Sequence, residues 1–156
     1  IVIMNYPESR MELARTAAVA GPLTERIPAW CFGNLLLVSL QVNGQRGNFV
    51  VDTGATATVL SHGMAAGLGV TPATPGAKID LPFGGVGGVE GVILRLPDVT
   101  LKTFRNSEKF DQVLAIDLKE ISKMMETEVS GMVGFDFLNH YKLTIDYSNA
   151  EVRLEK

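Results

Sequence analysis

Three apolar β-formers, Phe49, Val50 and Val51, run directly into Asp52, Thr53 and Gly54. That order reads as a strand delivering a carboxylate into the protein interior, with glycine allowing the backbone to turn tightly behind it. Apolar residues return at once in Val59 and Leu60, so Asp52 is not expected to be an acid in an open loop. A carboxylate taken from water is costly unless it is hydrogen-bonded, paired or protonated, and one held that way is a candidate for acid–base chemistry. The bare tripeptide also occurs in ordinary turns; its flanks give it weight. The other reactive side chains lack such a context. His62 and His140 fit no metal-ligand spacing, Cys31 sits in no nucleophile motif, and Ser61 has no Gly-x-Ser-x-Gly elbow around it.

A second segment, 131–141, reads Gly-Met-Val-Gly-Phe-Asp-Phe-Leu-Asn-His-Tyr and continues into Ile145, Asp146 and Tyr147. Alone it is a packing motif, a glycine-bounded apolar pair entering a short helix. Taken in order with Val51-Asp52-Thr53-Gly54-Ala55 and the following Val59-Leu60-Ser61, it resembles the retropepsin-like aspartic proteases, above all the bacterial single-domain members. The resemblance covers residues 27–156. It implies that Asp52 is the catalytic acid, that Thr53 braces a dimer through hydroxyl-to-backbone hydrogen bonds, and that Gly54, with Ala55 beside it, offers its backbone to substrate. It implies peptide or protein substrates and no cofactor or metal.

Peptide hydrolysis by this route uses two carboxylates that share one proton, one activating a water and the other protonating the carbonyl oxygen. The chain holds one Asp-Thr-Gly; Asp98, Asp117, Asp136 and Asp146 are not followed by a small residue and glycine. The second carboxylate is therefore expected from a second copy, a homodimer bringing Asp52 against its own mate across a two-fold axis. A catalytically silent peptide-binding or dimerisation module on the same fold is the alternative, against which the intact Asp52, Thr53 and Gly54 argue. The glycine-rich stretch Gly84, Gly85, Val86, Gly87, Gly88 resembles the flap hairpin that closes over substrate in this family. A phosphate loop does not fit, because Glu90 stands where the third glycine of GxGxxG would be. Two departures from the family stand out. Retroviral members pair an acid after the motif with an arginine early in the distal helix, whereas this chain has Thr56, Ala57 and Phe135 there. Pepsin-like enzymes carry a hydroxyl where this chain has Ala55.

The elements that position these residues are mostly short strands. Residues 35–42 are apolar and β-rich, Asn43-Gly44 is a strong hairpin signal, and 48–51 returns. Further strands are expected at 79–83, 89–96, 99–104 and 113–116, with a closing hairpin at 142–147 and 151–154. Small helices are expected after Ser61, at 118–125 and at 135–141. Ser9 and Glu12 have capping-box spacing ahead of a Met/Leu/Ala-rich run, which predicts a helix over 10–20. The division expected is an N-terminal helical arm or linker, 1–24, followed by a mostly-β, closed, barrel-like protease lobe, 25–156. No repeat occurs at a solenoid period.

At 156 residues with 46% hydrophobic side chains, the chain is long enough to bury a core without staples. A net charge of -3 and the lack of a basic, aromatic-interleaved patch exclude nucleic acid as an expected partner. No apolar run reaches the roughly 18–20 residues of a membrane span. The lone Cys31 excludes an intramolecular disulfide and fits either cytoplasm or periplasm. The chain opens on Ile1, which reads as an excised or processed piece whose targeting signal lies elsewhere.

Overall fold

A computed structural model describes residues 1–16, 21–79 and 91–156. Its strands in chain order are β1 (Val2–Asn5), β2 (Arg10–Leu13), β3 (Glu25–Phe32), β4 (Leu35–Val42), β5 (Gln45–Val51), β6 (Val59–Ser61), β7 (Lys78–Ile79), β8 (Ile93–Lys102), β9 (Ser107–Ile116), β10 (Gly131–Val133), β11 (Lys142–Asp146) and β12 (Glu151–Glu155). Among the described residues three short helices join them: α1 (His62–Gly67), α2 (Lys119–Met124) and α3 (Phe135–Leu138). The strands form one sheet in the order β2-β1-β11-β12-β3-β4-β5-β10-β6-β9-β8-β7, and the end of β4 also pairs with β8.

Side chains alternate across strands with period two, and here both faces are covered. On β4, Leu36, Val38, Leu40 and Val42 enter the larger core, while Leu37 enters a second cluster. Phe49 and Val50 divide the same way on β5, as do Leu60 and Val59 on β6. The smaller cluster includes Leu118, Met125 and Val129 around α2. Asn43 and Gly44 both take positive φ, which suits the two-residue turn of the β4–β5 hairpin. The Asn43 side chain accepts the Thr100 N–H at 2.8 Å and donates to Asp98 O at 3.3 Å, fixing the turn to β8.

Three sequence expectations change. Residues 89–96 and 99–104 do not form two strands; β8 runs from Ile93 through Pro97 and Asp98 to Lys102. Asp98 adopts φ 50°, and the buried set steps from Leu94 and Leu96 to Val99 and Leu101 across it, so the strand turns its faces without ending. The segment ahead of the first expected strand at 35–42 is itself a strand, β3 (Glu25–Phe32). The predicted N-terminal helix is replaced, over its described part, by a strand. Ser9 takes φ 51° at a hairpin turn, Asn5 caps that turn by accepting the Glu8 N–H at 3.1 Å, and Glu12 pairs with Arg10 at 2.9 Å rather than reaching back to a helix start. The run Arg10-Met11-Glu12-Leu13 alternates polar and apolar, as a strand does; it pairs with β1 in a local hairpin, and β1 in turn pairs with β11 from far along the chain.

Buried acids tie these pieces together. Glu25 closes the β8–β9 hairpin by accepting from the N–H groups of Phe104 (2.7 Å) and Arg105 (3.1 Å), the Thr103 hydroxyl (2.6 Å) and the Asn106 amide. Asp146 is fully buried. The Asn149 amide, donating at 2.8 Å, holds the Asp146 carboxyl below its ordinary value of 3.8 against the effect of burial, helped by the Asn149 N–H and by Arg153. Burial pushes Glu151 up, but Arg26 and Arg153 more than offset it, and its pKa lies below the ordinary 4.5. Groups depressed on folding stabilise above their unfolded pKa and lose that contribution as pH falls through the folded one. Stability to urea should therefore be level above about pH 5 and decline in acid. Asp146→Asn should lower the urea midpoint at neutral pH and flatten the acid decline. Urea titrations at neutral and acid pH check this; an acid decline unchanged in Asp146→Asn would assign it to other carboxylates.

Candidate active site

Asp52 leaves the end of β5, and the loop 52–58 returns into β6. Both ends of that loop are held by one strand from much later in the chain. β10 lies parallel to β5 (Gly131↔Phe49, Met132↔Val50, Val133↔Val51) and antiparallel to β6 (Gly131↔Leu60, Met132↔Val59). The Asp52 N–H donates to Val133 O at 3.0 Å, carrying the parallel ladder one residue into the loop. Asp52 Oδ1 accepts the Gly54 N–H at 3.0 Å, and the Ala55 N–H donates to Asp52 O at 3.3 Å. The carboxylate is thus oriented by its own turn.

The distal segment reaches this loop through atoms that the sequence alone did not single out. The Thr58 N–H and hydroxyl both donate to Asp136 Oδ1, at 2.8 and 2.6 Å. The same hydroxyl accepts the Gly134 N–H at 3.2 Å, and the Phe135 N–H donates to Ala55 O at 2.8 Å. Thr58 is buried. Gly134 has no room for a side chain: a Cβ there would lie 2.6 Å from the Ala57 carbonyl carbon and 3.0 Å from Ala55 O. Gly131 is equally tight, 2.5 Å from Val59 O and 2.6 Å from the Phe49 ring. The signal available beforehand was the Gly-x-x-Gly spacing; the Thr58–Asp136 bond had none, because an acid outside Asp-Thr-Gly reads as ordinary.

Asp52, Thr53, Gly54 and Ala55 therefore sit together on one loop. Asp52 is half-buried rather than enclosed, and Thr53 and Gly54 are exposed. Phe49 and Val50 fill opposite cores, and the chain departs from the sheet at Val51, so the turn itself crests at the surface. The expected flap residues Gly84, Gly85, Val86, Gly87 and Gly88 lie outside the described residues. His62 Nε2 is 2.8 Å from Val92 O and joins the start of α1 to the approach to β8; His140 lies 3.7 Å from Glu108. A cavity of about 440 Å³ lined by Ser61, Leu118, Ser122 and Val129 among others opens beside α1 and α2 and does not reach Asp52. Among the described residues, no three His, Cys, Asp or Glu side chains gather as a metal site, and no helix is long and apolar enough to cross a membrane.

This architecture is that of the retropepsin-like aspartic proteases. The crystal structure of a retropepsin-like aspartic protease from Rickettsia conorii superposes with a TM-score of 0.58 at 19% identity, over 84% of this chain and 92% of that one. The EIAV protease complexed with the inhibitor HBY-793 gives 0.47 at 24% identity over 71% and 91%. The retroviral protease-like domain of Ddi1 from Leishmania major gives 0.47 at 19% over 78% and 94%. No match is found among curated protein sequences. The Aspartyl protease family model matches residues 38–137, and the chain belongs to that family.

Because the Gly134 Cβ would strike the carbonyls of the aspartate loop, Gly134→Ala should shift that loop or the start of α3. Stability should fall by about 1–3 kcal/mol, the usual effect of overpacking. Denaturant unfolding measures it, and a variant as stable as the parent would show that the loop is not held by this contact.

Proposed function

We propose that the chain is an aspartic endopeptidase and that Asp52 supplies one of its two catalytic carboxylates. The observation that carries the reading is the intact Asp52-Thr53-Gly54-Ala55 turn, fixed between β5 and β10 with its carboxylate half-open to solvent. The protease lobe is residues 25–156. Its closed, barrel-like form is part of the same reading, supported by the β4–β8 pairing.

Hydrolysis in such a site needs a second Asp-Thr-Gly-type turn facing the first. Two carboxyls about 3 Å apart hold one proton between them. The ionised one takes a proton from a bound water, whose oxygen bonds to the scissile carbonyl carbon. The protonated one passes its proton to the carbonyl oxygen, giving a neutral tetrahedral diol. Breakdown returns a proton to the departing nitrogen as the C–N bond breaks, and the carboxyl pair is restored. Because this chain has a single Asp-Thr-Gly, the second turn comes from another lobe of the same kind; in a homodimer it is the second copy's own Asp52. Thr53 braces the two turns against each other, and Gly54 and Ala55 present backbone to an extended peptide.

Asp52→Asn keeps the shape of the side chain but can neither ionise nor share the acid proton. Peptide turnover should fall by at least about 10²–10⁴-fold, with the unfolding midpoint near that of the parent. Full turnover in folded Asp52→Asn protein would overturn the assignment.

A further inference from the structure

Two hairpins of this chain are the same piece of structure. Placing residues 2–13 on 143–154 without a gap sets Val2 on Leu143, Met4 on Ile145, Asn5 on Asp146, Tyr6 on Tyr147, Met11 on Val152 and Leu13 on Leu154. The turns agree in detail. Ser9 and Ala150 are equivalent and take φ 51° and 49°. The Glu8 N–H donates to Asn5 Oδ1 at 3.1 Å, and the Asn149 N–H donates to Asp146 Oδ1 at 3.1 Å. Even the ion pair along the outer strand recurs with its charges exchanged, Arg10 with Glu12 on β2 and Glu151 with Arg153 on β12.

The two hairpins also lie against each other about a local two-fold axis. β1 pairs antiparallel with β11 so that Ile3 faces Thr144, its own equivalent. The pairs Val2↔Ile145 and Met4↔Leu143 are exchanged by the same half-turn. The result is a symmetric four-stranded unit, β2-β1-β11-β12.

The symmetry fails in one respect, and that failure identifies what is needed. Val152 and Leu154 are each 2% exposed, because β12 is covered by β3 and the lobe's core. Their equivalents Met11 and Leu13 are 65% and 78% exposed, and among the described residues no strand pairs with the outer edge of β2. Likewise Tyr6 packs edge-on against Phe135 at 5.6 Å, whereas its equivalent Tyr147 is 45% exposed. A large apolar pair on an open sheet edge needs a partner. The partner that fits is the one β12 already has.

We propose that residues 1–15 are the closing hairpin of a second lobe of this same fold, carried on the same polypeptide ahead of the present lobe, and that the four-stranded unit is the seam between the two. This deepens the protease reading and rests on it for its catalytic consequence. Tyr6 contacts Phe135, whose N–H holds Ala55 O, so the hairpin of one lobe reaches the aspartate turn of the other. The half-turn that relates the hairpins then relates Asp52 to an aspartate of the second lobe. The active pair forms within one polypeptide, and β1 already occupies the edge of β11 that a second copy of the chain would otherwise use.

Leu13→Asp tests the seam without relying on activity. In the chain 1–156, where Leu13 is exposed, the urea midpoint should not move. In the native polypeptide that contains these residues, Leu13 should be a core residue of the second lobe, and the same substitution should lower the midpoint of that lobe clearly, as Leu154→Asp should lower that of this one. A neutral result in both, or a native polypeptide with no second Asp-Ser/Thr-Gly turn ahead of the hairpin, would overturn the proposal. Sedimentation and active-site titration with a peptide bearing a statine-type hydroxyl separate the two readings. The proposal expects the 1–156 chain to remain monomeric and the native polypeptide to be active as a monomer with one site per polypeptide. A 1–156 homodimer with one site per two copies would reject the covalent lobe but retain the protease. A two-lobed monomer that neither cleaves peptide nor binds the probe would reject the protease and retain the seam.

Discussion

The aspartate turn depends on a strand that has no room to spare. β10 contributes only three residues, yet it hydrogen-bonds β5 on one side and β6 on the other, and so pins both ends of the loop that carries Asp52. Such a wedge works only if the backbones on either side come close. Gly131 and Gly134 meet that condition: any Cβ would enter the space of Val59 O, the Phe49 ring or the carbonyls of Ala55 and Ala57. Side chains are excluded at the points where backbone must touch backbone. The remaining freedom of the loop is removed by polar bonds, from Thr58 to Asp136 and from Phe135 N–H to Ala55 O.

That pair of constraints holds the loop without the acid–arginine pair of the retroviral sequence pattern. In that pattern, an acid on the loop meets an arginine on the helix. Here the acid is on the helix side and the loop offers Thr58, whose N–H and hydroxyl both point to one carboxylate oxygen. Hydrogen bonds to an ionised acceptor are roughly twice as strong as neutral ones, and Thr58 is buried, so the exchange keeps the tie while removing a long cationic side chain. Phe135, standing in the arginine's place, is released to face Tyr6.

Much of the central sheet was legible because its determinants are local. Alternation over Leu35–Val42 and the Asn43-Gly44 turn specify β4 and its hairpin with no help from elsewhere. The three small helices fall where Ser61, 118–125 and 135–141 place them. The aspartate turn was legible as chemistry, since a β-rich run ending in Asp-Thr-Gly is an unusual string. What failed was set by distant partners. The segment 10–20 has helix-favouring composition, but Arg10–Leu13 gains a ladder with β1, and β1 gains one with residues that come at the very end of the chain. Long-range pairing overrides propensity. The expected strands 89–96 and 99–104 left a gap at 97–98, yet Asp98 in the left-handed region lets β8 continue through it. Thr58–Asp136 was invisible for the same reason: its members are far apart in sequence and neither stands in a recognisable motif.

The repeated hairpin shows how a signal can be present in the sequence and still be missed. A search for repeats looks for adjacent units, and these two copies lie at opposite ends of the chain, aligned in pattern more than in identity. Tyr6 with Tyr147 and Leu13 with Leu154 are identical; Val2, Met4 and Met11 meet apolar residues, Asn5 meets Asp146 and the Arg–Glu pair is reversed, while Ile3 and the turn residues 7–9 differ from their equivalents. Structure makes the equivalence physical, because it shows the same turn conformation, the same capping bond and a pairing in which each hairpin meets its own image. A symmetric sheet seam is an economical way to set two aspartate turns face to face. In the two-lobed arrangement we propose, a second turn fixed as this one is by its glycine wedge would let the alignment of the lobes align the carboxylates. The packing of Tyr6 on Phe135 then connects that alignment to the loop itself, since Phe135 bonds Ala55 directly. The aspartate turn is thus held by the wedge of β10, while in the proposed arrangement the registry of an acid pair would rest on the edge of β11.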